Sequence, residues 1–105
     1  MGQRLFFIAA AEVAYFAADN KIVFLIDKEG NRFVINTTIE KLEAELNPKD
    51  FFRPNRKIII NAGVIDQVKP YQSNRLKQHL KGIATQEEII ISRERVADFK
   101  QWADA

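Results

Sequence analysis

Phe51-Phe52-Arg53-Pro54-Asn55-Arg56-Lys57-Ile58-Ile59-Ile60-Asn61 is the stretch on which the reading of this chain turns. It reads as a loop of hydrogen-bond donors running directly into a buried strand. Arg53, Arg56 and Lys57 supply cations, and Asn55 supplies both a donor and an acceptor. Pro54 fixes its own φ, so the cluster is expected to sit on a short, stiffened mount. The three isoleucines that follow favour a pleated, buried strand, because β-branched side chains pack well there. A guanidinium matches the two acceptors of guanine and a carboxamide matches adenine, whereas lysine suits a phosphate as a point charge. Asn61, at the strand end, is expected to bond neighbouring backbone, as turn asparagines do.

Outward from this segment, short runs rich in Ile, Val and Phe recur between turn signals and read as strands. Leu5-Phe6-Phe7-Ile8, Val13-Ala14-Tyr15-Phe16 and Ile22-Val23-Phe24-Leu25-Ile26 precede it, and Gly30 provides a hairpin turn into Arg32-Phe33-Val34-Ile35-Asn36. Thr37 and Glu40 have the spacing of a capping box, Ile39, Leu42 and Leu46 mark one helical face, and Asn47-Pro48 ends that helix. Strand signals resume over residues 64–68, 75–80 and 88–91. Ser92 is placed to cap a terminal helix in which Val96, Phe99 and Trp102 recur at near-helical spacing. About eight short strands and two short helices make a mainly β chain, read as a single domain over residues 1–105.

The charge is unevenly spread. Residues 51–82 hold Arg53, Arg56, Lys57, Lys69, Arg75, Lys77 and Lys81 against Asp66 alone, a balance of +6, while the whole chain carries only +2. Residues 1–50 have six Lys/Arg against eight Asp/Glu, and residues 83–105 have three against five. The basic character is therefore local, which implies a local positive field and an anionic partner. No run approaches the ~18 apolar residues of a membrane span, so no membrane partner is expected. The absence of cysteine removes disulfides and thiolate metal sites and fits a cytoplasmic setting.

Catalytic chemistry finds little support. The one histidine, His79, alternates with Arg75, Lys77 and Lys81 on one strand face, which reads as a solvated cationic face. Ser73 and Ser92 have no nucleophile-elbow context, and Glu40, Glu43 and Glu45 look like an exposed helix face. The four glycines, at positions 2, 30, 63 and 82, form no phosphate loop. An enzyme, a cofactor and a metal are not expected.

The segment from Phe51 to Asn61 resembles the signature of LytTR DNA-binding domains, in which a phenylalanine and an arginine precede a basic pair, an aliphatic strand and an asparagine. That family usually has a histidine and a serine where this chain has Asn55 and Lys57. Residues 13–21 resemble the family's strand and loop ahead of its first hairpin, and Thr38-Ile39-Glu40-Lys41-Leu42-Glu43 its helix. Val64-Ile65-Asp66-Gln67-Val68 resembles the next strand, and Ile91-Ser92-Arg93 with Phe99-Lys100 the closing motif. The shared order of these pieces, from Leu5 to Trp102, carries the resemblance.

It implies an elongated antiparallel β-sandwich that meets duplex DNA through loops and not through a recognition helix. The matching loops are Asp19-Asn20-Lys21, the cluster from Arg53 to Lys57, and Ser92-Arg93-Glu94-Arg95. Asn20, Lys21, Arg53, Asn55, Arg56, Lys57, Arg93 and Arg95 are thus the candidate DNA-binding residues. Arg53, directly after Phe52, has a second reading as a brace to a carboxylate. Arg95 has one as an exposed residue of the helix's first turn. The resemblance also implies repeated promoter elements as the target and a phosphorylated receiver domain as companion. This chain would be the output module without its receiver, monomeric for want of a heptad seam.

Two rivals accompany this reading. One is a β-rich protein-interaction module whose basic face meets an acidic partner. The other is a single-strand binder, which should expose aromatics beside its cations. Phe51, Phe52, Tyr15, Phe16 and Trp102 all fall in apolar runs and are expected in the core.

Overall fold

The continuous apolar runs become strands buried on both faces. In a computed structural model, which describes residues 10–80 and 89–104, β1 (Val13–Asp19) and β5 (Ile58–Asn61) lie at the centre of a five-stranded antiparallel sheet. They are flanked by β2 (Ile22–Asp27), β3 (Arg32–Ile35) and β4 (Phe51–Asn55), in the order β3-β2-β1-β5-β4. A second antiparallel sheet is formed by β6 (Ile65–Tyr71), β7 (Arg75–Leu80) and β8 (Ile89–Ile91). The molecule is elongated, 43 × 27 × 27 Å. The expected mainly β, antiparallel, two-sheet architecture is present.

Alternation along β1 and β5 sends successive side chains to different cores. Tyr15, Ala17, Ile58 and Ile60 meet Ile89 of the second sheet, whereas Phe16 and Ile59 turn the other way, toward Ile39. Helix α1 (Ile39–Glu45) covers that far side, with Leu42 and Leu46 packed against it. Helix α2 (Val96–Asp104) closes a third core, where Phe99 meets the Phe52 ring edge-on at 5.5 Å and Trp102 lies 5.2 Å from Phe52. The Trp102 indole N–H donates to the Pro48 carbonyl at 2.6 Å, which ties α2 to the loop after α1. Tyr15 is 2% and Phe52 8% exposed, so neither offers a ring for stacking a base.

Several local expectations need correction. The cap of α1 is Thr38, not Thr37: the Thr38 hydroxyl accepts from the Lys41 N–H at 3.1 Å, so Glu40 falls one place too early for a capping box. Ser92 makes no side-chain cap. Its N–H is committed to the Pro54 carbonyl at 2.9 Å, its own carbonyl accepts from Arg95, and a 3-10 turn over Arg93–Arg95 intervenes before α2. Residues 51–55, expected as loop, are the edge strand β4. The expected strand at Leu5-Phe6-Phe7-Ile8 and the residue Lys81 lie outside the described residues.

Candidate nucleic-acid interface

The segment 19–21, expected to be a loop ahead of the first hairpin, is itself the turn of a hairpin. Asp19 pairs with Ile22, and Asn20 and Lys21 have φ of 50° and 68°. Two successive left-handed residues give the turn whose twist matches that of the flanking strands. Asparagine tolerates this conformation; lysine does so at a steric cost. Replacing Lys21 by Gly should therefore stabilise the fold by about 0.5–1 kcal/mol, measured by denaturant melts. An unchanged or lowered stability would contradict the strain argument.

The second turn is narrower than the sequence suggested. Asn55 pairs with Ile58, leaving only Arg56 and Lys57 between β4 and β5. Asn55 shapes the turn: its side-chain oxygen accepts from the Lys57 N–H at 2.8 Å, and its amide donates to the Ile90 carbonyl at 2.7 Å. Pro54 is fully buried, and the β4–β5 register slips between Phe52 and Asn55. Proline has no ladder donor to give, and an edge strand with a bulge is where that loss is tolerated. The Pro54 carbonyl takes the Ser92 N–H, so the third loop is fastened to the second. The Lys57 carbonyl takes the Ala18 N–H at 2.8 Å, which fastens β1 to it as well.

Arg53 is a brace. Its side chain is only 11% exposed, and its guanidinium donates to the Asn55 and Arg56 carbonyls at 3.2 and 2.8 Å. It also pairs with Glu43 at 3.0 Å and Glu40 at 3.2 Å on α1. The carboxyl of Glu40 is held below its usual range, first by its own backbone N–H and then by Arg53. Glu43 reaches Arg95 too, at 3.7 Å. Arg53, Asn55 and Arg95 thus have internal partners. Those of Arg53 and Asn55 converge on the turn that carries Arg56.

The side chains of Asn20, Lys21, Arg56, Lys57 and Arg93 are exposed and have no hydrogen bond or ion pair among the described residues. Of these, Arg56 and Lys57 stand at the edge of an open groove of about 650 Å³, together with Asp19 and Glu94, over an apolar floor of Ala17, Ala18, Ile58 and Ile90. Asn20, Lys21 and Arg93 do not line it. All three loops singled out in the sequence border this groove through at least one residue. Sequence reasoning missed its floor, because Ala17, Ala18 and Ile90 carry no chemical signal of their own. The described residues hold no group of three or more His, Cys, Asp or Glu side chains arranged for a metal. Among them no helix is long and apolar enough to cross a membrane.

The family profile of the LytTr DNA-binding domain matches residues 3–104. Over 70 residues the chain is 30% identical to an uncharacterized response regulatory protein of Vibrio cholerae serotype O1, a span of 64% of this chain and 27% of that protein. A solved structure described as the LytTr DNA-binding domain of a methyl-accepting/DNA response regulator from Bacillus cereus superposes with a TM-score of 0.79. It is 18% identical, with 90% of this chain and 84% of that one covered, and it shows that the fold is shared. With the profile running over nearly all its residues, the chain belongs to the LytTr DNA-binding domain family.

Proposed function

We propose that this chain is the duplex-DNA-binding output domain of a bacterial response regulator and controls transcription by docking its three loops on repeated promoter elements. In this reading Arg56 and Arg93 reach base edges. Lys57 and Lys21 hold phosphates, with Asn20 beside Lys21 in the β1–β2 turn. Arg53, Asn55 and Arg95 act by fixing the loops. The observation that supports it best is the division of labour among the polar residues. Across the three loops some are locked to carbonyls and carboxylates, while others are exposed and have no hydrogen bond or ion pair among the described residues.

A handful of phosphate contacts releases counterions, so affinity for duplex DNA should fall with salt at a log–log slope of roughly −3 to −7. A titration by fluorescence anisotropy from low to moderate salt reads this directly. A flat titration would remove the electrostatic basis of the proposal.

A further inference from the structure

The outer face of the second sheet continues the groove. Lys77 pairs with Ile90 on one side and with Lys69 on the other, and directly paired residues of an antiparallel sheet share a face. Ile90 lines the groove beside Arg56 and Lys57. From it, Lys77 stands one strand away and Lys69 two, steps of about 4.8 Å each. Tyr71 and Arg75 form the next pair on this face. The Arg75 guanidinium lies 5.1 Å and the Lys77 ammonium 5.9 Å from the Tyr71 ring centre, so the ring gathers both cations on the outer side. The opposite face is the core side, where Leu76 packs and Gln78 is buried. Among the described residues of the three strands the one carboxylate is Asp66, beside the irregular start of β6.

We propose that Lys69, Lys77 and Arg75 form a phosphate track that holds the DNA backbone flanking the element contacted by the loops. This rests on the duplex-binding reading above and extends it. The lysines are point charges on strands, and the Arg75 guanidinium is steadied by the Tyr71 ring and by donation of its Nε–H to the Gln72 carbonyl at 3.0 Å. The contribution of this face is affinity common to all sequences, not discrimination. A partly stacked arginine and two lysines spaced across strands suit a row of phosphates, since each needs only proximity and charge.

The test compares the parent chain with Lys69→Gln/Lys77→Gln, with Lys69→Arg/Lys77→Arg, and with Lys57→Ala. Each is titrated with salt on the preferred duplex and on unrelated duplexes of equal length. The glutamine pair should make the log–log slope shallower by about two, one phosphate per lysine, and weaken all sequences alike. The arginine pair should keep the parental slope. The same glutamine pair should lose its effect when the duplex is trimmed to the loop-contacted element alone. A parental slope in the glutamine pair, with Lys57→Ala still shallower, overturns the track and leaves the loop reading standing. A parent and Lys57→Ala that bind no duplex overturn the loop reading, and the track with it.

Discussion

Replacing Arg56 or Arg93 by Ala is expected to weaken binding to the preferred duplex by about 1–3 kcal/mol, roughly 5- to 150-fold, and to relax preference at particular base pairs. The expectation comes from their placement. Both are exposed, both stand on turns held by hydrogen bonds from other elements, and neither side chain has a partner among the described residues. A guanidinium on such a mount arrives at the DNA with its donors unspent. Replacing Lys57 by Ala should instead weaken all sequences similarly and make the salt slope shallower by about one. All three variants should keep the parental stability within about 0.5 kcal/mol, because exposed loop substitutions seldom cost more. Affinity measured on the preferred site, on its single-base variants and on unrelated DNA separates the two behaviours. Full discrimination in both arginine variants would mean that these loops do not read sequence.

Arg53→Ala should behave in the opposite way, with stability as the main loss. The ion pairs alone would contribute little, since Glu40 and Glu43 are 74% and 44% exposed. The bond to the Asn55 carbonyl is partly buried and that to the Arg56 carbonyl lies in the turn, and removing their shared charged donor should cost about 1–3 kcal/mol. In a chain of this size each kcal/mol lowers the melting temperature by about 4–8 °C. Arg53→Lys should not restore it, because one ammonium cannot reach two carbonyls and two carboxylates at once. Binding should weaken through a loosened turn, with the salt slope unchanged. An Arg53→Ala variant that melts with the parent yet loses base discrimination would make Arg53 a reader and not a brace.

Arg53 and Arg56 show where the sequence stops being informative. Three positions apart in one basic cluster, they are chemically identical; the place of Arg53 directly after Phe52 suggested a brace but not its partners. The partners that decide it, Glu40 and Glu43, lie on a helix 13 and 10 residues upstream. The same limit hid β4. A proline and an arginine within five residues argue against a strand, and only the position of β4 at the sheet edge makes Pro54 acceptable there. By contrast, the isoleucine runs of β5 and β8 and the 96/99/102 spacing of α2 were legible, because burial on one or two faces leaves a period in the sequence. The two-residue turn at Asn20-Lys21 lacked the glycine that marks most such turns, so the strands on either side were seen and their pairing was not. His79 and its neighbours read as a solvated cationic face. Only the register with β8, which sets Lys77 beside Ile90, relates that face to the groove.

Selection of bound duplexes from a random library, using the folded chain, tests sequence-specific recognition most directly. Enrichment of a defined motif is expected, with Arg56→Ala and Arg93→Ala each erasing preference at a different subset of its positions. Repeated rounds that enrich no motif, from protein shown by its melting transition to be folded, would contradict it. They would leave a basic protein-interaction surface as the better description of these loops.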